Sequence, residues 1–407
     1  MSKNTGVSTD YADVEELIKK QKVKSVPLHL KIDWLAFTID ENRDSKNGEK
    51  FYLLKVLGYE IKDFELISGK NFFNSGYGYN NCVKVFYNDA TKAMQKGASA
   101  VNDYVFTGVG CSNLQGNINN DWVGLFSYLV EFGVKFTRID ICADDWNYPS
   151  RITFPYIERK LARKEFRSSK RRYNLIKDVN TSGQLIGESC YWGSRSTTGK
   201  NGHIICRTYQ KALQMLGKHE EDAFPDEVKN QALLHDFDGN FNWIRWELEI
   251  TKAKANSIIY EIVELAKTQQ DPIGCAYFRV LRDTIDFIVP TKNKQGQVYK
   301  NKSRWKTSPR WLSFLNGLKK MVLENPAAIY NLESVHDWLL YSCMPTIQML
   351  QKIYKSKGLD FFEVMRNTPQ REFSKKQKVL MDSSKNISVN ELVVYANRFL
   401  ESREDDE

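Results

Sequence analysis

The sequence predicts an α+β fold, built on an antiparallel sheet with flanking helices and followed by a helical C-terminal region. Segments in which apolar and polar residues alternate with period 2, the pattern of half-buried strands, recur up to about residue 252. After about residue 305 the apolar residues recur at helical spacing instead, as Trp311, Phe314, Leu315 and Leu318 do. A chain of 407 residues is long enough for more than one core, and two domains are the default expectation.

Composition changes along the chain and divides it into four predicted regions. Residues 1–28 are expected to form an N-terminal helical arm, because residues 9–22 carry an amphipathic stripe. Residues 29–290 form a bipartite α+β domain, residues 291–306 form a basic linker, and residues 307–407 form the helical C-terminal region. Most of the predicted sheet therefore lies in the second region.

The first half of the α+β domain begins with a strand from His29 to Asp40, indicated by alternating polarity. A helix from about Lys50 to Leu57 follows, and a glycine directly after it predicts its end. Residues 63–88 are rich in Phe, Tyr, Gly and Asn, which is typical of short strands joined by turns. A further strand from Asp103 to Thr107 is expected to lead into a turn at residues 108–110.

The second half begins with a helix that we expect Asn120 to cap. The strand from Lys135 to Asp145 comes directly after that helix. Two strands at about 184–192 and 203–211 flank a Gly-rich connector and are predicted to pair as a hairpin. The last strand of the domain is predicted from Phe241 to Lys252.

Helix-start signals predict where helices of the C-terminal region begin. Ser308 before a proline predicts the first helix, and residues 332–355 form a further helical segment in which Pro345 marks a break or kink. Ser388 and Glu391 form a capping box that predicts the start of the last helix.

Charge and cysteine content narrow the classes of function. Lys and Arg number 59 against 50 Asp and Glu, which gives a net charge of +9 and is compatible with a polyanionic partner. The seven cysteines are odd in number and form no C-x-x-C pair, which argues against a disulfide framework or a zinc site. The N-terminus has no apolar signal core and no apolar run is long enough to span a membrane, so the predicted location is cytoplasmic.

Three of the predicted strands carry charged side chains on one face and apolar side chains on the other. If these strands are neighbours in one antiparallel sheet, carboxylates, cations and a phenol converge on that face. The alternative is a solvent-facing sheet with ordinary cross-strand salt bridges. The residues that share the charged faces are Arg138, Asp140 and Asp144; Arg245, Glu247 and Glu249; and Arg207, Tyr209 and Lys211.

Tyr209 is the candidate nucleophile because it lies between two cations on its own strand face. Arg207 and Lys211 are expected to favour its phenolate and to bind a phosphate. Clustered carboxylates without a His or Cys cluster suit Mg²⁺ or Mn²⁺ rather than zinc. Such a metal would polarise a phosphodiester for attack by Tyr209, and the covalent phosphotyrosine would retain the bond energy for rejoining.

A basic stretch from Arg159 to Arg172 is a second candidate nucleic-acid contact. It could follow a DNA backbone, with Phe166 and Tyr173 available to stack on bases. A solvated helix face is the alternative interpretation of such a run. The candidate DNA-binding residues in it are Arg159, Lys160, Arg163, Lys164, Arg167, Arg171 and Arg172.

Three motifs of the chain resemble the central motifs of the replication initiation factor (Rep_trans) family. They are the segments 136–145, 191–195 with 206–211, and 244–249, and the resemblance extends over roughly residues 30–325. This family includes rolling-circle plasmid initiators and relaxases of integrative conjugative elements. The resemblance implies that residues 29–290 are a catalytic nicking domain acting at a DNA origin.

The resemblance also implies a mechanism and partners. Members form a 5′-phosphotyrosyl intermediate with a free 3′-OH, use a divalent metal, and work with a host helicase that unwinds from the nick. Tyr209 matches the nucleophile of an Arg-x-Tyr-x-Lys pattern, with Tyr191 as the alternative nucleophile. Gln210 departs from the pattern, in which an acidic residue is common. The remaining implied roles are metal binding by Asp140, Asp144, Glu247 and Glu249, phosphate or phenolate contacts by Arg207 and Lys211, and DNA binding by Arg138, Arg195 and Arg245.

Two other functions stay open at this point. One is an origin-binding protein that does not cleave, and the other is a metal-dependent nuclease that uses water. The five histidines contain no H-x-H pair, so the class of rolling-circle nickases with a histidine-held metal is disfavoured. The oligomeric state is open as well, with a homodimer among the alternatives.

Overall fold

The structure, a computed structural model, describes most of the chain between residues 27 and 369. Residues 1–26 of the predicted N-terminal arm, the Gly-rich connector at 199–202, Arg195, and the capping box at Ser388 and Glu391 lie outside the described residues. The described ranges are 27–46, 48–89, 91, 100–147, 150–193, 203–218, 243–316, 335–336, 339, 343–369 and scattered positions between 372 and 393.

A ten-stranded antiparallel sheet organises the described residues, in the spatial order β10-β11-β12-β13-β8-β1-β7-β6-β5-β4. Smaller sheets join β15-β14-β9 and β2-β3. The strands are β1 (His29–Asp40), β2 (Ser45–Lys46), β3 (Glu49–Lys50), β4 (Glu65–Ser68), β5 (Ser75–Tyr79), β6 (Val83–Tyr87), β7 (Val101–Phe106), β8 (Lys135–Asp145), β9 (Phe166–Ser168), β10 (Tyr173–Val179), β11 (Leu185–Trp192), β12 (Ile204–Gln210), β13 (Ile244–Thr251), β14 (Ile285–Val289) and β15 (Lys306–Thr307).

Helices flank this sheet and form the described C-terminal region, as the sequence predicts. None of the described helices is long and apolar enough to cross a membrane. The α-helices are α1 (Tyr52–Val56), α2 (Gly108–Asn117), α3 (Trp122–Glu131), α4 (Phe154–Ala162), α5 (Lys211–Leu216), α6 (Ala253–Leu265), α7 (Pro272–Thr284), α8 (Pro309–Phe314), α9 (Met344–Lys355) and α10 (Phe361–Asn367).

The main core lies on one face of the large sheet. The apolar residues of β8 and β13, such as Ile141 and Leu248, are fully buried there with residues of α6 and α7. Trp246 of β13 stacks on Trp192 of β11, with ring centroids 5.6 Å apart, and packs at a tilt of 51° against Trp311 of α8, with centroids 5.1 Å apart. Because α8 packs into this core, we propose that the domain predicted to end at residue 290 continues through α8.

Several predicted elements are confirmed with their bounds. The strands His29–Asp40 and Lys135–Asp145 begin and end where the alternation of polarity does. The hairpin of β11 and β12 pairs in antiparallel register as predicted. These elements depend on period-2 patterns that are local to each strand.

Two local predictions are wrong. Residues 108–110 begin helix α2 instead of a turn, because Thr107 caps it by accepting a hydrogen bond from the Gly110 N–H. The Cβ of any other residue at 110 would lie 2.2 Å from the Cys82 carbonyl oxygen, so close packing explains this glycine. Helix α3 is capped by Asp121, since Asn120 has a φ of 64° and lies outside the helix.

A β-bulge in β1 changes which side chains face the core. The register against β8 shifts between Ile32 and Trp34, so that Ile32 joins the buried side chains of Leu35 and Phe37. Trp34 lies on the opposite face, where the guanidinium of Arg138 is 4.5 Å from its ring centroid. Uninterrupted alternation with period 2 would have placed Ile32 and Trp34 on one face.

Asp103 of β7 gives the fold a pH dependence that can be measured. Burial raises the pKa of Asp103 to about 6, although Lys70 opposes the shift. The folded state therefore holds this proton more tightly than the unfolded chain, and stability falls as the pH rises from about 4 to 6. Asp103→Asn should remove about 1–2 kcal/mol of that fall.

Urea unfolding at pH 4.5 and pH 7 measures this effect. The stability of Asp103→Asn relative to the unmodified protein should be higher at pH 7 than at pH 4.5. Asp63→Asn, a change at an exposed carboxylate, is the matched control and should leave the pH dependence as it is. Equal pH dependence in Asp103→Asn and the unmodified protein would contradict the assignment.

Candidate active site

The three strands with charged faces are neighbours in the sheet, as the sequence predicts. Strand β13 lies between β12 and β8, and the register aligns their polar residues into rows across the sheet. Side chains directly opposite each other share a face. The three rows are Tyr209, Arg245 and Asp144; Arg207, Glu247 and Cys142; and Ile205, Glu249 and Asp140. We call the face that carries them the charged face.

The charged face is much more buried than expected for a solvent-facing sheet. The exposed fractions of Asp140, Asp144, Glu247 and Glu249 are 2, 2, 0 and 7%. A buried carboxylate is strongly destabilising unless a cation or several hydrogen-bond donors accompany it. The arrangement therefore differs from ordinary surface salt bridges, and each of these carboxylates contacts an arginine.

Tyr209 lies half-buried beside Glu247. Its hydroxyl donates a hydrogen bond to Glu247 Oε2 over 3.3 Å, and Arg207 donates to the other carboxylate oxygen, Oε1. The cations of Arg207 and Lys211 lie 5.8 and 6.0 Å from the centroid of the Tyr209 ring. The phenol is thus next to both a proton acceptor and positive charge.

The expectation that the flanking cations favour a phenolate is wrong for this arrangement. Burial raises the pKa of Tyr209 well above its ordinary value, and the Glu247 carboxylate adds to the shift, while Arg245 and Arg207 oppose it. The loss of hydration outweighs the cations. Tyr209 is therefore a neutral hydrogen-bond donor here, and its ionisation requires a base.

Arg138 contacts two of the carboxylates, those of Asp140 and Glu249. Its Nε and Nη2 donate to the two oxygens of Asp140 over 2.9 and 2.5 Å, and Nη2 lies 3.3 Å from Glu249 Oε2. Burial raises the pKa of Asp140 to about 7, with Arg138 opposing the shift and Glu247 and Glu249 adding to it. Loss of hydration thus outweighs the contact with Arg138, and Asp140 holds its proton more tightly than an exposed aspartate does.

Arg245 is held by two aspartates. Its Nε and Nη2 lie 2.7 and 2.8 Å from the two oxygens of Asp144, and its Nη1 lies 3.2 Å from Asp33. The sequence analysis missed Asp33, because its contact depends on the bulge in β1, which has no signal in the sequence. Burial, and then Arg245, lower the pKa of the nearby Lys211.

The carboxylates of the charged face fit the predicted divalent metal only in part. Within the described residues, no three His, Cys, Asp or Glu side chains surround a common point where a metal ion would sit. Asp140 and Glu249 nevertheless lie opposite each other on neighbouring strands, and carboxylate oxygens are the ligands that Mg²⁺ and Mn²⁺ prefer. The chemistry of this pair fits such an ion, provided that Arg138 moves away. Asp144 lies opposite Arg245 and His29 rather than a carboxylate, and Arg245 is buried whereas Arg138 is partly exposed, so Asp144 is not among the candidate ligands.

The basic stretch is divided between several elements, and its side chains differ in burial. Lys160 is buried and donates to Glu165 and to the Ile288 carbonyl over 2.7 and 2.8 Å, and Arg167 pairs with Asp286 over 2.6 Å. These contacts stabilise the fold, so the charges of Lys160 and Arg167 are already occupied by protein groups. The exposed basic side chains of the stretch are those of Arg163, Lys164, Arg171 and Arg172.

Tyr191, the alternative nucleophile, lies one strand farther from the carboxylates. It is half-buried on β11 and lies opposite Arg207. Strand β12 therefore separates it from Glu247 on β13. This position makes Tyr209 the better placed of the two phenols.

Comparison with known proteins places the chain in a family. The sequence profile described as replication initiation factor matches residues 134–365, more than half of the chain. The chain belongs to the replication initiation factor family. The resemblance drawn from the three motifs is confirmed. The family match begins just before β8 and includes β12 and β13, so all three strands of the charged face lie within it.

Two individual proteins are similar over much of their length. A protein of Bacillus subtilis (strain 168) described as putative DNA relaxase NicK is 21% identical over 378 residues, which cover 90% of this chain and 93% of that protein. The structure of a rolling-circle replication initiator protein from Geobacillus stearothermophilus matches with a TM-score of 0.54 at 24% identity. That match covers 74% of this chain and 99% of the other, and it shows a shared fold.

Proposed function

We propose that this protein is an origin-specific DNA nicking–closing enzyme that forms a 5′-phosphotyrosyl intermediate through Tyr209. The observation that carries the proposal is the hydrogen bond of 3.3 Å from the Tyr209 hydroxyl to Glu247. It joins a candidate nucleophile to a candidate base, with cations beside both, inside a member of a replication initiation family. The similarity to a relaxase and to a rolling-circle initiator supports it.

The proposed step is a transesterification at a DNA phosphodiester. Glu247 takes the phenol proton, the Tyr209 oxygen forms a bond to phosphorus, and the bond from phosphorus to the 3′ oxygen breaks. The 3′ oxygen takes up a proton from solvent and leaves as a free hydroxyl, while the 5′ phosphate stays on Tyr209. Closing is the reverse reaction, and it needs no external energy because the phosphotyrosine keeps the ester bond.

The arginines of the charged face have separate roles in this proposal. Arg207 fixes the Glu247 carboxylate through Oε1, so that Oε2 is directed at the phenol. Lys211 begins helix α5 directly after β12 and provides a cation beside the Tyr209 ring for the incoming phosphate. Arg245 lies opposite Tyr209, and its positive charge opposes the rise of the phenol pKa.

Asp140 and Glu249 are the proposed ligands of a divalent ion, Mg²⁺ or Mn²⁺. When bound, such an ion polarises the phosphodiester and offsets negative charge on the phosphoryl oxygens. In the absence of the ion, Arg138 offsets the charge of both carboxylates. The guanidinium of Arg138 also lies over the Trp34 ring, which gives it a second contact on this face.

Metal binding is expected to depend on Asp140. Asp140→Asn should weaken Mn²⁺ binding by about tenfold or more, because the amide offers a neutral oxygen in place of a carboxylate. Titration calorimetry with Mn²⁺ in the absence of DNA measures it. Asp178→Asn, a change at an exposed carboxylate on β10, is the control. Equal Mn²⁺ affinity in Asp140→Asn and the unmodified protein would remove Asp140 from the metal site.

A member of the family that binds an origin without cleaving it is the second candidate function. It is favoured by the high pKa of Tyr209 and by the arginines that occupy the carboxylates. Single-stranded oligonucleotides tiled across the genetic element that carries this gene separate the two functions, when incubated with the protein and Mg²⁺. A denaturant-resistant adduct supports nicking, binding alone supports the second candidate, and cleavage without an adduct indicates a nuclease that uses water.

The proposed partners follow from the proposed reaction. Origin DNA is the substrate, and a host helicase is the expected partner because a nick alone does not separate the strands. The exposed residues Arg163, Lys164, Arg171 and Arg172 are proposed to contact DNA phosphates. The cytoplasmic location stays a prediction.

A further inference from the structure

A pair of stacked rings, one of them exposed, lies at one end of the charged face. The ring of His29 stacks on that of Trp146, with centroids 4.9 Å apart and an angle of 20° between the planes. His29 is exposed, whereas Trp146 is half-buried. We call this pair the His29 stack.

The register of the sheet aligns the His29 stack with the candidate nucleophile. Tyr209 lies opposite Arg245, Arg245 lies opposite Asp144, and Asp144 lies opposite His29. All four side chains therefore share one face in one row across β12, β13, β8 and β1. Three strand spacings separate Tyr209 from His29, a distance of about 14 Å. This distance equals the rise of about four stacked nucleotides.

The stack is anchored to the segment that follows Tyr209. Trp146 packs against a small apolar cluster of Ala212, Met215 and Trp243, and the first two of these belong to α5. Ala212 is only three positions after Tyr209. The indole is therefore fixed relative to the nucleophile, and one more planar group can stack on His29 at little cost in conformational entropy.

We propose that the His29 stack binds an unpaired nucleobase of the substrate strand, within about four nucleotides of the scissile phosphate. This inference rests on the proposed function for the position of the phosphate. Every base has a planar face that stacks on aromatic side chains, and such stacking is a main source of single-strand affinity. Lys31, the next residue of β1 on this face, lies half-buried beside the stack, where its cation can reach the adjoining phosphate.

The fluorescent base 2-aminopurine tests the inference, because stacking quenches its emission. It is placed in turn at each position within four nucleotides of the nick in the oligonucleotide that the tiling identifies, or along the tightest-binding oligonucleotide if none is nicked. Binding should quench emission at one of these positions. His29→Ala should restore that emission and weaken binding about tenfold, while His29→Phe should keep both, since a benzene ring also stacks.

Tyr260→Ala is the matched control, since it removes an exposed aromatic ring from α6. It should change neither emission nor affinity. Emission that is the same in His29→Ala and the unmodified protein at every position would overturn the inference, even where the adduct still forms. Quenching that depends on His29 without any adduct would support the stack and count against nicking, so the two failures are distinguishable.

Discussion

Replacement of Tyr209 by phenylalanine is expected to abolish the covalent protein–DNA adduct. The change removes only the hydroxyl that attacks phosphorus, so nicking should fall by at least about three orders of magnitude. DNA affinity should change little, because the ring and the cations of Arg207 and Lys211 remain. Stability should change by about 1 kcal/mol or less, since only the hydrogen bond to Glu247 is lost. Denaturing electrophoresis with end-labelled oligonucleotide measures the adduct.

Tyr191→Phe is the matched control for that experiment. It removes the same atom from the neighbouring strand of the same face, and it should leave the adduct yield unchanged. An adduct that persists in Tyr209→Phe and disappears in Tyr191→Phe would move the nucleophile to β11. An adduct that persists in both would exclude the two phenols together.

The second large effect is expected from Glu247→Gln. The amide cannot accept the phenol proton as a carboxylate does, and burial raises the pKa of Tyr209, so a base is required. Single-turnover nicking should slow by about 10²- to 10⁴-fold, the usual contribution of general base catalysis. DNA affinity should stay equal or increase, because the change removes a buried negative charge from the charged face.

Two measurements keep this prediction separate from misfolding. Thermal unfolding reports any loss of stability from the broken Arg207 contact, and Glu264→Gln, a change at an exposed carboxylate of α6, serves as the control. If Glu247→Gln nicks at the unmodified rate while folded, another group accepts the proton. A matched fall in affinity and rate would instead indicate a structural role.

Period-2 patterns were sufficient to predict the strands of the site and their shared face. Each of these patterns is local to one strand. The prediction that β12, β13 and β8 are neighbours then comes from placing their charged faces on the same side of one sheet. The same reasoning located Tyr209 and the carboxylates. It could not supply the register, which decides that Glu247 and not Asp140 contacts the phenol.

Burial and long-range pairing account for what sequence reasoning missed. The phenolate expectation considered only Arg207 and Lys211 as neighbours in sequence, whereas burial dominates the pKa of Tyr209. Asp33 reaches Arg245 only because β1 has a bulge. In sequence, Lys160 and Arg167 resemble the exposed basic residues beside them. They differ in having acidic partners. Glu165, the partner of Lys160, is close in the chain, but Asp286, the partner of Arg167, lies on β14.

The site of covalent attachment tests the central claim most directly. After reaction with the nicked oligonucleotide, trypsin cleaves after Arg207 and Lys211, so that Tyr209 and Tyr191 lie in different peptides. Mass spectrometry after nuclease digestion should find a 5′-nucleotide on the peptide from Thr208 to Lys211. A nucleotide on the Tyr191 peptide, or cleaved DNA with no modified peptide, would contradict the account.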